Sequence, residues 1–355
     1  MVSRCAILFS FVVAAPAAEA ATWQLTGRVA TDTGYDSNVY RTFESDPQAL
    51  VVGDEFLQAD GHLVLSGRPG DRQRTDVTAD IGTRLFPDQA PADTVVAQGE
   101  ARHAIGLSRK LVLRLDAEGK DIFTGDRAFW PGDDNRAYDD YGGGATLVAG
   151  PFLATRFSVR AGYRVFDYFS DPDFSEAGPA LSAELSASPA RRHTLFADWR
   201  LFPQYYQGPQ LAADGAILGR RFDWYQAASA GYSFAGSWVF SATYSFIDDA
   251  ADSYGESFRR HRLTALLGLV LPGEVYAVAT GAVQLTSYPD GLYLSPELLL
   301  LEDDDDLDEV SIKLSRDLGA HLSLELRWGY YRNDLFQNGL AYQRQVVYLG
   351  LAYGR

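Results

Sequence analysis

The chain has 355 residues, with 31 basic and 47 acidic side chains for a formal net charge of −16, and it carries 33 Gly, 20 Tyr, 20 Phe and 6 Trp. The acidic balance argues against general nucleic-acid binding, because neutralising phosphates needs a basic excess. So much Gly and aromatic residue suits a β-rich chain, and one Cys with one Met leaves no material for a disulfide framework or a thiolate metal centre.

The first feature in chain order is a targeting segment. Arg4 precedes an apolar run from Ala6 to Ala15, and Ala18-Glu19-Ala20 has the small-x-small form of a cleavage site. Residues 1–20 are expected to be an export signal and 21–355 the folded domain. The run is short of the ~20 apolar residues that span a bilayer. Cys5 lies in the segment to be removed, so the mature chain is expected to be cysteine-free.

From Trp23 onward the apolar residues recur with period two, the signature of strands with two different faces. Leu111, Leu113, Leu115, Ala117 and Gly119 alternate with Val112, Arg114, Asp116, Glu118 and Lys120. Phe157, Val159, Ala161, Tyr163 and Val165 alternate with Arg156, Ser158, Arg160, Gly162 and Arg164. Segments of this kind number about sixteen, at about 23–38, 54–67, 73–86, 94–107, 111–123, 138–149, 154–168, 175–187, 193–206, 221–234, 237–248, 259–271, 275–288, 308–316, 320–333 and 342–354.

Short connections such as Arg68-Pro69-Gly70-Asp71, Ser108-Arg109-Lys110 and Pro272-Gly273-Glu274 alternate with longer ones at 124–137, 207–220, 249–258 and 289–307. Such alternation along a meander of hairpins fits a transmembrane antiparallel up-and-down β-barrel, with tight turns on one rim and long loops on the other. A soluble exported β-sandwich, solenoid or propeller is the competing fold. Three features favour the membrane barrel: strands of about 12 residues, long enough to cross a bilayer at a tilt; Gly and Ala at many apolar-face positions; and aromatic residues clustered at strand ends. Tyr163, Tyr168, Trp199, Tyr205, Tyr206, Trp224, Tyr244 and Tyr288 near the long loops, with Phe157, Phe234, Trp238 and Tyr353 near the short turns, read as two interfacial belts.

Over the whole mature chain the pattern resembles bacterial outer-membrane β-barrels of the porin-like kind. The last strand, Gln345 to Arg355, is similar to the terminal signal read by the barrel-assembly machinery, with Gly350 and Tyr353 at the glycine-to-aromatic spacing and Arg355 where an aromatic is usual. Gly34-Tyr35-Asp36-Ser37-Asn38-Val39-Tyr40 is similar to the first-strand end of barrels associated with exopolysaccharide export and with surface-lipoprotein export. The resemblance implies a Gram-negative outer-membrane location, contact with outer-membrane lipid, passage through the assembly machinery, and a polysaccharide or periplasmic export partner.

If the charged face is the lumen, Arg84, Arg102, Arg114, Arg156, Arg160 and Arg164 form a basic ladder facing Asp76, Asp80, Glu100, Asp116 and Glu118. Two readings stand side by side: opposed rows that select charged solutes, or lumen charges that pair to satisfy one another. Phe129 and Trp130 beside Asp133 and Asp134 form a candidate glycan contact, with interfacial anchoring as the alternative. The acidic run Glu302 to Glu309 lacks the spaced ligands and turn glycine of a Ca²⁺ loop. No metal site, cofactor or catalytic constellation is expected: there is no paired-His spacing, no nucleophile elbow and no phosphate-binding glycine loop. The expectation is a pore for hydrophilic cargo, an exopolysaccharide being one candidate; a non-conducting scaffold or adhesin is the alternative.

Overall fold

The computed structural model describes residues 22–39, 51–124, 137–152, 154–169, 172–290, 308–335 and 340–354. Among them are sixteen strands: β1 (Thr22–Asp36), β2 (Asp54–Gly70), β3 (Gln73–Leu85), β4 (Thr94–Ser108), β5 (Leu111–Thr124), β6 (Tyr138–Phe152), β7 (Thr155–Tyr168), β8 (Glu176–Ala190), β9 (His193–Leu211), β10 (Ile217–Ala235), β11 (Val239–Ala251), β12 (Phe258–Leu271), β13 (Val275–Ser287), β14 (Asp308–Asp317), β15 (Leu322–Leu335) and β16 (Leu340–Gly354). Each pairs antiparallel with its sequence neighbours, and β1 pairs with β16, so the sheet closes with no free edge. The fold is a closed up-and-down barrel.

Which face looks outward follows from the register and the exposure together. On β1, Trp23, Leu25 and Val29 are exposed, Leu25 at 67%. Their cross-strand partners continue the pattern: Leu25 pairs with Leu65, Leu65 with Val77, and Val29 with Tyr353. In water such a surface would be an aggregation site. Around a barrel it is the girdle that faces lipid, and the same strands turn Arg28, Asp60, Asp80, Arg102 and Asp116 inward. A soluble barrel would have the two faces exchanged, so the distribution places the chain in an outer membrane.

The expected strands are present, with two departures. The long loop expected at 207–220 is mostly strand: β9 runs to Leu211 and β10 starts at Ile217. The ladder survives Gly208-Pro209 because register shifts between Ile217 and Gly219 and between Arg220 and Phe222 absorb the irregularity. The loop expected at 249–258 is likewise trimmed by β11, which runs to Ala251. The expected export signal and the acidic run 302–307 lie outside the described residues.

The belt is corrected at three positions. Tyr163, Trp199, Tyr205, Trp224 and Tyr244 are exposed on the outer face as expected, but Tyr168 and Tyr288 are buried. Tyr206 shares strand parity with buried Phe202 and Gln204, so it too turns inward. One residue of offset on a strand moves a side chain to the other face.

The seam explains the first-strand motif. Gly34 lies where a Cβ would strike the Val347 carbonyl and the Phe56 ring. Asp36 is fully buried and receives the Arg344 guanidinium, with Nε at 2.9 Å and Nη2 at 2.6 Å from Oδ2. Asn38 Nδ2 donates to the Gln343 carbonyl at 3.2 Å. Val39 packs with Phe56, Phe86 and Val346 in a small apolar cluster. Gly350 in β16 makes room for Asp32, since a Cβ there would land on Asp32 Oδ1. Tyr353 is exposed on the outer face beside Val29, near the short-turn rim.

Candidate permeation path

The eleven ladder residues all face the lumen, and they occupy one arc of wall. Arg84, Asp76 and Asp80 are on β3, Glu100 and Arg102 on β4, Arg114, Asp116 and Glu118 on β5, and Arg156, Arg160 and Arg164 on β7. Adjacent strands cannot oppose one another across a pore, so opposed rows do not form here. The registers set the side chains next to each other: Asp76, Arg102, Asp116, Gly144 and Gly162 fall in one row, and Thr78, Glu100, Glu118, Gly142 and Arg164 in the next.

Within this arc most charges meet along the wall. Arg160 reaches over β6 to Asp116, with Nη2 at 2.5 Å and Nε at 3.0 Å from Oδ2, and stands 3.8 Å from Glu118. It can cross because Gly144 and Gly162 lie beneath it; a Cβ on Gly144 would come within 3.1 Å of Arg160 Nε. Gly144 of β6 therefore leaves room for an arginine to cross the strand. Arg164 pairs with Asp140 at 2.8 Å and lies 3.7 Å from Glu176. Arg102 pairs with Glu100. Arg84 donates to Gln58 Oε1 at 2.8 and 3.0 Å and lies over the Phe56 ring. Asp80 is 2.5 Å from His62 Nδ1, and Asp76 binds Arg74 at 2.7 Å and Ser66 at 2.7 Å. Arg114 and Arg156 have no ion pair among the described residues; both lie towards the short-turn rim.

Paired charges still face water. Through the middle of the barrel the side chains of Arg200, Glu118 and Arg102 are 68%, 59% and 55% accessible. A closed lumen packed by salt bridges would bury them. The opposite wall is milder, carrying Ser229, Ser245, Thr264, Thr280 and Ser311, with Ser245 donating to Ser229 at 3.1 Å.

A second set of charges, of which only Arg164 and Lys120 were read from the sequence, collars the long-loop end. Arg221 is buried against Tyr206, its guanidinium 4.1 Å from the ring centroid, and binds Asp223 at 2.5 Å and Glu256 at 2.8 Å. Arg344 lies over Tyr331, Arg164 beside Phe166 and Phe202, Arg260 over Phe258 and Lys120 over Tyr138. Each ring is worth ~0.5–2 kcal/mol to the cation it faces. The signal was available as arginines and aromatics sharing parity near strand ends, but the partners come from different strands. The glycan-contact candidates Phe129, Trp130, Asp133 and Asp134 lie outside the described residues.

No protein-family model and no curated protein matches the chain. Solved structures do resemble it. The outer-membrane channel DcaP of Acinetobacter baumannii shares 14% identity over 94% of this chain and 97% of its own, with a TM-score of 0.56. OccAB1 of Acinetobacter baumannii shares 13% over 93% and 96%, with a TM-score of 0.50. An anion-selective porin from Comamonas acidovorans shares 13% over 95% and 100%, with a TM-score of 0.49. At these identities the likeness to the first two is one of fold alone, and it agrees with the closed barrel and its lipid-facing girdle: this is an outer-membrane β-barrel.

Proposed function

We propose that the chain is a water-filled pore that passes small hydrophilic solutes across the outer membrane by diffusion. The observation that carries the reading is the accessibility of charged side chains at mid-barrel on the lumen face, in a barrel whose sixteen strands are enough to leave an aqueous channel. Passage needs no covalent chemistry; selection comes from pore width and lumen charge. The Arg-rich arc on β3–β7 acts through its carboxylate partners as a charged wall. An exopolysaccharide leaving the cell is the larger cargo within this reading, and it would have to thread the aromatic collar. The resemblance at Gly34 to Tyr40 is consistent with such a cargo, and Gly34, Asp36 and Asn38 of that segment also take part in closing the seam.

The test is single-channel recording of the refolded protein in planar bilayers, beside a variant carrying Arg156→Glu and Arg160→Glu. Stable conductance steps, with ion selectivity altered in the variant, are expected. A correctly folded barrel that never conducts would overturn the pore and leave a scaffold that displays its loops.

A further inference from the structure

We infer that the pore prefers cations, and that a carboxylate-rich sector of the lumen wall on β1–β5 sets the preference. The inference rests on the pore reading above and names the class of solute it favours.

Subtracting the ion pairs from the mid-barrel wall leaves an uneven remainder. On β1–β5 six carboxylates face the lumen at this depth: Asp32, Asp60, Asp80, Glu100, Asp116 and Glu118. Arg102 takes Glu100, and Arg160 takes Asp116 while standing 3.8 Å from Glu118. Asp80 has His62 as its hydrogen-bond partner. Asp60 makes no ion pair or side-chain hydrogen bond among the described residues.

Asp32 is the most telling of the six. It is 5% exposed, and its Oδ1 is buried with no hydrogen-bond partner. It shares a register row with Gly350 and Glu325, and Asp60 stands one row away, opposite Ala30. Of the nearby cations, Arg28 and Lys313 both bind Glu325, each at 2.8 Å, and Arg327, one row away, donates to the Tyr348 hydroxyl at 2.7 Å. A buried carboxylate oxygen without a donor is costly. Packed against Gly350 behind half-buried Asp60, it adds to the negative potential of the wall that Asp60 presents to passing cations.

The facing sector does not offset this. At mid-depth β10–β13 contribute the hydroxyls of Ser229, Ser245, Thr264 and Thr280, which can face either sign of ion, and the Arg262 guanidinium, with Arg221 and Arg260 nearer the long-loop end. The unpaired Arg114 and Arg156 lie towards the short-turn mouth, so a cation meets them before the acidic sector and not within it. The net field at mid-barrel is therefore negative, and it attracts cations while repelling anions.

The test is the reversal potential of the full chain in planar bilayers under a tenfold KCl gradient. The expected sign is that of K⁺ permeating faster than Cl⁻, with a ratio that falls at high salt as the lumen charges are screened. Asp60→Asn with Glu118→Gln is expected to lower the K⁺/Cl⁻ permeability ratio at least about threefold, and Arg156→Gln to raise it; gel mobility with and without heating confirms that each barrel is folded. A conducting wild type that prefers Cl⁻, or an unchanged ratio in the carboxylate variant, would overturn the cation preference and leave the pore standing. Absence of conductance from the folded wild type would overturn the pore reading and the preference with it.

Discussion

Closing a barrel whose ends are the first and last strands puts unusual weight on the contacts of that one seam, and Arg344→Ala tests them. Arg344 Nε lies 3.0 and 2.9 Å from the two Asp36 carboxylate oxygens and Nη2 lies 2.6 Å from Oδ2. The Asp36 side chain is fully buried and that of Arg344 is 10% accessible. Asp36 also accepts the backbone N–H of Asn38 at 3.1 Å. Two charges about 4 Å apart at an effective dielectric of ~20 attract by ~4 kcal/mol. Desolvation consumes much of that in the intact pair, but removing one partner leaves the other charge dry and unpaired, at ~3–5 kcal/mol. Arg344→Ala is therefore expected to lower the unfolding free energy by about 3 kcal/mol. The Asp36→Ala, Arg344→Ala double variant should cost well under the sum of the single ones, with a coupling of about 2 kcal/mol or more. Tryptophan fluorescence followed through guanidinium unfolding in lipid vesicles measures all three. Additive single costs, or a loss below about 1 kcal/mol for Arg344→Ala, would refute the view that this ion pair holds the seam.

Two further substitutions probe the outer face and the last strand. Leu326→Arg places a charge on an outward residue that is 42% exposed; in a lipid-facing position near mid-barrel it should cost ~2–4 kcal/mol, whereas a near-zero cost in the same vesicle assay would mean that this face is wet. Gly350→Ala drives a Cβ onto Asp32 Oδ1 and close to the Thr31 carbonyl. The yield of folded barrel, read by heat-dependent gel mobility, should drop sharply and recover in part when Asp32→Ser is added; a full yield from the single variant would argue against the close approach.

Period-two alternation in some sixteen segments marked the chain as β-structure, and strand length, Gly and Ala on the apolar face and aromatic strand ends marked that structure as a membrane barrel. Strand ends were harder to read where Gly and Pro did not interrupt the ladder. Gly208-Pro209 looked like a loop, yet β9 continues through it with the irregularity displaced to bulges in β10. Face assignment was legible for Arg160 and Asp116, but their meeting was not: it depends on Gly144 and Gly162 lying between them in a register that only the folded sheet fixes. Asp36 and Arg344 are 308 residues apart, and nothing local to either marks the other. Tyr168, Tyr206 and Tyr288 turn inward because parity, and not proximity to a strand end, decides the face.

The arginines at the outer mouth are tied down where they stand. Arg221 is shared by Asp223 and Glu256, Arg344 by Asp36, and Arg164 by Asp140, each lying against an aromatic ring. Such paired and braced groups make the entrance a stiff ring in which each guanidinium is offset by a carboxylate. Substitutions in the loops beyond this ring are therefore expected to leave the inferred ion preference, set several residues deeper, unchanged.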